Sequence, residues 1–268
     1  MTSRRWFAVL VGAALFAQGT QTVLGADGKQ AARFASLEAQ APEAARAQAL
    51  AWLKDAAAGD AAKLQRAEAL WKQEDRTVLD RLADTFALGS ADAARLLAET
   101  RNPLAPAPVK VPALFQDAKL PDFVRANLAL AYARTLSGRR IHEEALDALK
   151  LFRAEQTVDP AAYLFHRAVC EHALLLKKEA GTTVTRLLTQ AVDSPERYKT
   201  VGALMLLDMQ AWKDKDLGAV ARKMGNIERR LELARGGPHT QKLQKEVVAR
   251  LDELIKELEN KAKKSGGS

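Results

Sequence analysis

A chain of 268 residues with 48% hydrophobic and 28% charged side chains is globular, which excludes a mainly disordered polymer. A single cysteine, Cys170, excludes an intramolecular disulfide scaffold, and 6% aromatics in a chain rich in Ala and Leu favour helix–helix packing over a β-rich core. The formal charge of +8 is uneven: residues 27–120 carry 13 basic and 13 acidic side chains, residues 121–268 carry 26 and 20. A C-terminal basic excess of this size serves solubility and also suits an anionic partner.

Residues 1–26 read as a signal peptide. Arg4 and Arg5 form a basic start, Trp6 to Ala17 an apolar run, and Val23-Leu24-Gly25-Ala26 a small-residue close. The apolar run is too short to span a bilayer, so no stable membrane anchor is expected, and no cysteine sits beside the leader to carry a lipid. Ser3-Arg4-Arg5-Trp6-Phe7 also resembles a twin-arginine pattern, leaving the export route open between the two systems. Either places the mature chain in the periplasm or outside the cell.

Beyond the leader, apolar residues recur at helical spacing, broken by Pro, Gly, Asp or Ser every fifteen to twenty residues, roughly one helix length. Helices are predicted near 29–40, 43–58, 60–73, 75–88 and 90–100, with Pro42 at a helix start and Ser90 as a cap, making a helical region over 27–100. Residues 101–118 hold Pro103, Pro106, Pro108 and Pro112 and cannot be helix. They are a linker, or an arm packed along the helices through Val109, Val111 and Leu114.

A second helical domain is predicted over 119–264, with helices near 121–137, 141–155, 160–178, 181–193, 195–213, 216–235 and 239–264. Pro121, Pro160, Pro195 and Pro238 fall in N-terminal turns, and Gly138, Gly181 and Gly236-Gly237 are placed at helix ends as left-handed closing residues. Residues 265–268 are a polar tail. Short connections make sequential helices antiparallel, so the fold class is all-α, built from stacked antiparallel helical hairpins.

Two hairpins carry a family resemblance. Tyr132-Ala133 and Leu136 precede Glu144-Ala145-Leu146, Leu149 and Asp159-Pro160; Tyr163 and Ala168 precede Leu187-Leu188, Ala191 and Asp193-Ser194-Pro195. Over about residues 119–213 the chain resembles degenerate tetratricopeptide repeats, which implies a TPR-like α-solenoid with a concave binding surface. From Ala145 to Pro160 is fifteen residues, where the standard repeat allows about twelve. The segment from Met224-Gly225-Asn226-Ile227 to Glu257-Leu258-Glu259 resembles the C-terminal part of exported planctomycete helical proteins that carry no assigned function.

Catalytic and metal-binding chemistry is thinly supported. His166 and Cys170 share a helix face, but two ligands are too few for zinc or copper, and His172 points elsewhere; a small buried cysteine with histidines at hairpin edges is the simpler expectation. His142-Glu143-Glu144 lacks the second imidazole of a zinc protease, and its carboxylates suit a helix N-terminus. No Gly-x-Ser-x-Gly turn, Walker loop or dinucleotide fingerprint is present, so no cofactor and no catalysis are expected.

The candidate binding residues are Arg222, Lys223, Arg229, Arg230 and Arg235. The pairs Arg222/Arg229 and Lys223/Arg230 recur seven residues apart on one helix stripe, and Gly236-Gly237-Pro238 opens a helix start that can hold an anion. The last helix sets Val247, Val248, Leu251, Leu254, Ile255 and Leu258 on one apolar face, expected to cap the stack or form a self-association seam, the oligomeric state being open. Together these predict an exported module that binds a protein or an anionic envelope polymer, with an envelope hydrolase or metal- or cofactor-carrying protein as the alternative. Nucleic acid is disfavoured because export removes the chain from it and stacking aromatics are sparse.

Overall fold

Five prolines set where helices begin. In the computed structural model, which describes residues 36–265, Pro42, Pro160 and Pro238 occupy the first helical turn, where a missing N–H costs nothing, and Pro121 and Pro195 are N-caps. Asp60, Thr77, Ser90, Asp159 and Asp216 cap other helices by accepting backbone N–H bonds. The result is all-α, with eleven α-helices among the described residues: α1 Pro42–Ala56, α2 Ala61–Trp71, α3 Val78–Gly89, α4 Ala91–Arg101, α5 Asp122–Gly138, α6 His142–Lys150, α7 Pro160–Ala173, α8 Lys177–Gln190, α9 Glu196–Gln210, α10 Leu217–Glu232 and α11 Pro238–Ser265. The signal peptide, most of the first predicted helix and residues 266–268 lie outside the described residues.

From Leu37 onward the chain forms one compact unit. Successive helices pack on one another from α1 to α9, as do α10 and α11, and the odd-numbered ones also touch in order, α1 on α3, α3 on α5, α5 on α7 and α7 on α9. One continuous apolar core runs through this row, with Phe86, Leu128, Leu130, Tyr132, Leu136, Ile141, Leu146 and Tyr163 at its centre. Edge-to-face rings link Trp52 to Phe86 and Phe86 to Phe123, joining the N-terminal helices to α5.

Residues 102–118 are an arm along this core, the second of the two alternatives, although Val109, expected to pack, is 88% exposed. Ala107, Val111 and Leu114 pack on it, Phe115 is buried against Tyr132, and the freed carbonyls of Ala105 and Pro108 accept from Arg139 and Arg235. Residues 36–40 are not helical, correcting that end of the predicted 29–40 helix. Leu37 pairs as an isolated parallel bridge with Ala191, giving its N–H to Gln190 O (2.7 Å) and accepting from Val192 N (3.1 Å).

The step from Ala145 to Pro160 includes an irregular turn. After α6 the chain makes a 3-10 turn, Ala154–Gln156, and buried polar side chains satisfy the irregular backbone. The Tyr163 hydroxyl lies within hydrogen-bond reach of the carbonyls of Leu149 (2.9 Å) and Phe152 (2.7 Å), giving its one proton to either, while Asn127 accepts from Val158 N (2.9 Å).

The glycine closures are corrected. Besides Ala58 (φ 49°) and Gly59 (φ 75°) after α1, the left-handed residues lie where α5, α7 and α10 end, at Arg140 (φ 62°), Leu175 (φ 62°) and Ala234 (φ 57°), and Gly181 lies inside α8. Each closes its helix by the same pair of bonds, Ile141 N to Leu136 O, Leu176 N to Glu171 O and Arg235 N to Arg230 O, with the preceding N–H reaching three residues back. A β-carbon in this conformation costs about 1–2 kcal/mol. Arg140 recovers some of it through its ion pair with Glu232, and Leu175 through half-buried packing, whereas the Ala234 methyl is exposed. Ala234→Gly is therefore expected to raise stability by about 1 kcal/mol, read as a higher urea midpoint at unchanged slope.

Candidate functional site

The densest polar cluster joins α6 to the α10–α11 hairpin. The left-handed turn at Arg140 delivers His142, Glu143 and Glu144 to the start of α6, and the turn at Ala234 delivers Arg235 beside Arg229 and Arg230 at the end of α10. Glu143 accepts from both terminal nitrogens of Arg229 (2.9 and 2.7 Å), from Arg230, and from Arg235 at 3.3 Å. Arg229 also donates to the Arg140 carbonyl and Asn226, Arg230 to Thr240, and Arg235 to Glu144 (2.9 Å) and the Pro108 carbonyl (2.8 Å). The Arg229 side chain is only 4% exposed.

Of the five basic residues singled out from sequence, the structure brings together Arg229, Arg230 and Arg235, turned inward on the protein's own carboxylates. The other two lie outside this cluster. Arg222 donates to the Lys213 carbonyl and stacks 4.9 Å over the Trp212 ring, and Lys223 pairs with Glu246 at 2.8 Å. Glu143 and Glu144, expected to serve their own helix terminus, are the hub that sequence reasoning missed. Their partners lie 86 to 92 residues further along, beyond any local charge pattern.

Burial alone would raise the Glu143 carboxyl, but the hydrogen bond and charge of Arg229, with Arg230 beside it, outweigh that and hold it at about 2. Burial lowers His142 to about 4, reinforced by Arg229, and lowers His166 to about 4, reinforced by Arg134 and Arg197. Beside the cluster, a cleft of about 390 Å³ separates α6 and the α7–α8 turn from the hairpin, lined by Leu146, Leu174, Leu176, Lys223, His239 and Leu243.

His166, Cys170 and His172 do not converge. Cys170 is fully buried, and burial pushes its thiol far up, the reverse of an activated nucleophile. His172 Nε2 meets Asp208 at 2.9 Å, where Trp212 Nε1 also donates. His166 Nδ1 lies 2.8 Å from Ser137 Oγ, which also reaches the Arg134 carbonyl at 2.9 Å. When the one hydroxyl proton goes to that carbonyl, His166 is the donor to Ser137, opposite to the transfer a serine nucleophile requires. Among the described residues, no three or more His, Cys, Asp or Glu side chains are grouped to hold a metal, and no helix is long and apolar enough to cross a membrane.

Compared with family models, curated proteins and solved structures, the chain matches none.

Removing one partner of a buried ion cluster costs about 3–5 kcal/mol, because charges remain unpaired. Glu143→Gln is expected to lose stability on that scale, with hydrogen exchange accelerating in α10–α11 before α3, α5 and α7. Lowering pH should act in two stages. The folded values of His142 and His166 lie below their ordinary 6.5, so the unfolded chain binds more protons and their contribution, complete above pH 6.5, declines towards pH 4. The Glu143 contribution is lost from its ordinary 4.5 down to about 2, and thermal melts across pH 8 to 2 check both stages.

Proposed function

We propose that this chain is an exported TPR-like helical-repeat module that holds a protein partner, and that the partner docks where the helix row ends at α9. The supporting observation is on α9 itself. Val201, Leu204 and Leu207 are exposed, the last two at 58% and 60%, and Val192 just before the helix adds to them. In a repeat stack each helix pair buries its apolar face against the next pair, and an end left apolar is suited to an amphipathic helix in the next pair's place. The α10–α11 hairpin, drawn over the start of α6 by Glu143, forms a separate pair with its own small core.

The arginines support a scaffolding role in this reading, not contact with an anionic polymer, because Glu143 and Glu144 engage them. The chain is proposed to work without catalysis, in the periplasm or outside the cell.

A photo-crosslinking residue at exposed position 203, kept in every variant, should trap one dominant protein from the native envelope fraction. Leu204→Glu with Leu207→Glu should reduce its recovery at least about tenfold, a loss of ~1.4 kcal/mol or more. If recovery persists in that variant and falls instead on charge reversal of Arg222 and Lys223, the partner is anionic and the α9 reading fails.

A further inference from the structure

The α10–α11 hairpin carries a second unpartnered apolar surface, on the side away from the body. Its own core is small: Val220, Ile227 and Val247, with Leu243, Leu251 and Leu254 around them. Outside this core, Leu217, Met224 and Leu231 are exposed on α10 at seven-residue intervals, and Val248 and Ile255 are exposed seven residues apart on α11. Steps of about 100° per residue relate these stripes to the rest of the hairpin. On α10 the stripe lies beyond Val220 and Ile227, on the side opposite Arg229, which is fixed to Glu143. On α11 it lies across the inward Val247 from Glu246, whose bond to Lys223 marks the side facing the body. Both stripes therefore share the hairpin's outer face, which combines about 24 Å of α10 with about 40 Å of α11.

We infer that this face binds a second copy of the same chain, the two hairpins stacking about a two-fold axis with their α11 helices antiparallel. The charge pattern selects this occupant. Lys245 and Asp252 flank Val248 and Ala249 along a shallow groove that also includes Gln241 and Gln244. An antiparallel α11 pair centred between Val248 and Ala249 sets Lys245 opposite Asp252 of the second copy, and Asp252 opposite its Lys245. Each two-fold contact so formed is self-complementary. Neither residue has an ion-pair partner among the described residues. Small Ala249 at the centre lets the helices approach, and two helices side by side offer a face on the scale of the ~800 Å² per partner of stable complexes. This surface is separate from α9, so pairing leaves the proposed partner site open.

Sedimentation equilibrium of the full chain tests the pairing. The wild type should reach twice 29.2 kDa at micromolar concentration, and Met224→Glu with Val248→Glu should weaken association at least about a hundredfold, with an unchanged thermal melt at dilutions where the wild type is also monomeric. Lys245→Asp or Asp252→Lys alone should each weaken it, and the two together should restore it. A wild type that stays monomeric at ~100 µM overturns the inference. So does association that survives Met224→Glu with Val248→Glu, or a double charge swap that fails to restore what the singles lose. None of these readouts depends on the envelope partner, so this inference and the α9 reading fail separately.

Discussion

The Glu143 carboxylate is the constraint on which the C-terminal α10–α11 hairpin depends. Three guanidinium groups close on its two oxygens, and a fourth arginine, Arg140, offers its carbonyl to the same cluster. Apolar packing between the hairpin and the body is sparse, since the main core and the hairpin core are distinct. Planar, bidentate arginine contacts have strict directional requirements, so they specify an angle as well as an attachment. So held, α10 does not stack on α9, which leaves apolar side chains exposed on α9 and others exposed on the hairpin. Both proposed surfaces thus follow from where one carboxylate sits.

Much of the helical framework was legible in the sequence, because its punctuation is chemical. Proline without an N–H starts helices at Pro42, Pro160 and Pro238, and Ser90 caps α4 through its hydroxyl, as the spacing implied. Helix closure was less legible. Gly138, Gly181 and Gly236-Gly237 drew attention as the cheapest left-handed residues, yet the turns place Arg140, Leu175 and Ala234 there. In these turns the position is set by the length of the helix and its closing hydrogen bonds, which a search for glycine does not reveal. Leu37 misled for a related reason: its apolar spacing suits a helix, but its backbone pairs with residues far along the chain.

The candidate site was half legible. The seven-residue recurrence of basic residues placed Arg229 and Arg230 on one helix, but the alternation of charge along the chain contains nothing about which carboxylate they meet. Lys223 and Arg222 belong to the same sequence pattern and end with different neighbours, Glu246 and Trp212, because consecutive helical residues point about 100° apart and so face different elements. His166 and Cys170 lie one turn apart on α7, and a serine is the imidazole's neighbour.

The short Leu37 bridge bears on how the molecule comes apart. Stacks of helix pairs behave as one-dimensional arrays, in which distant units open independently and the ends fray first. Here the segment leading into α1 hydrogen-bonds to the backbone just after α8, and Gln40 gives its N–H to the Val158 carbonyl on the way. One short segment thus ties the start of α1 to the end of α8, so the opening of either end is coupled to the other through these bonds, a link that contacts between neighbouring helices alone do not confer.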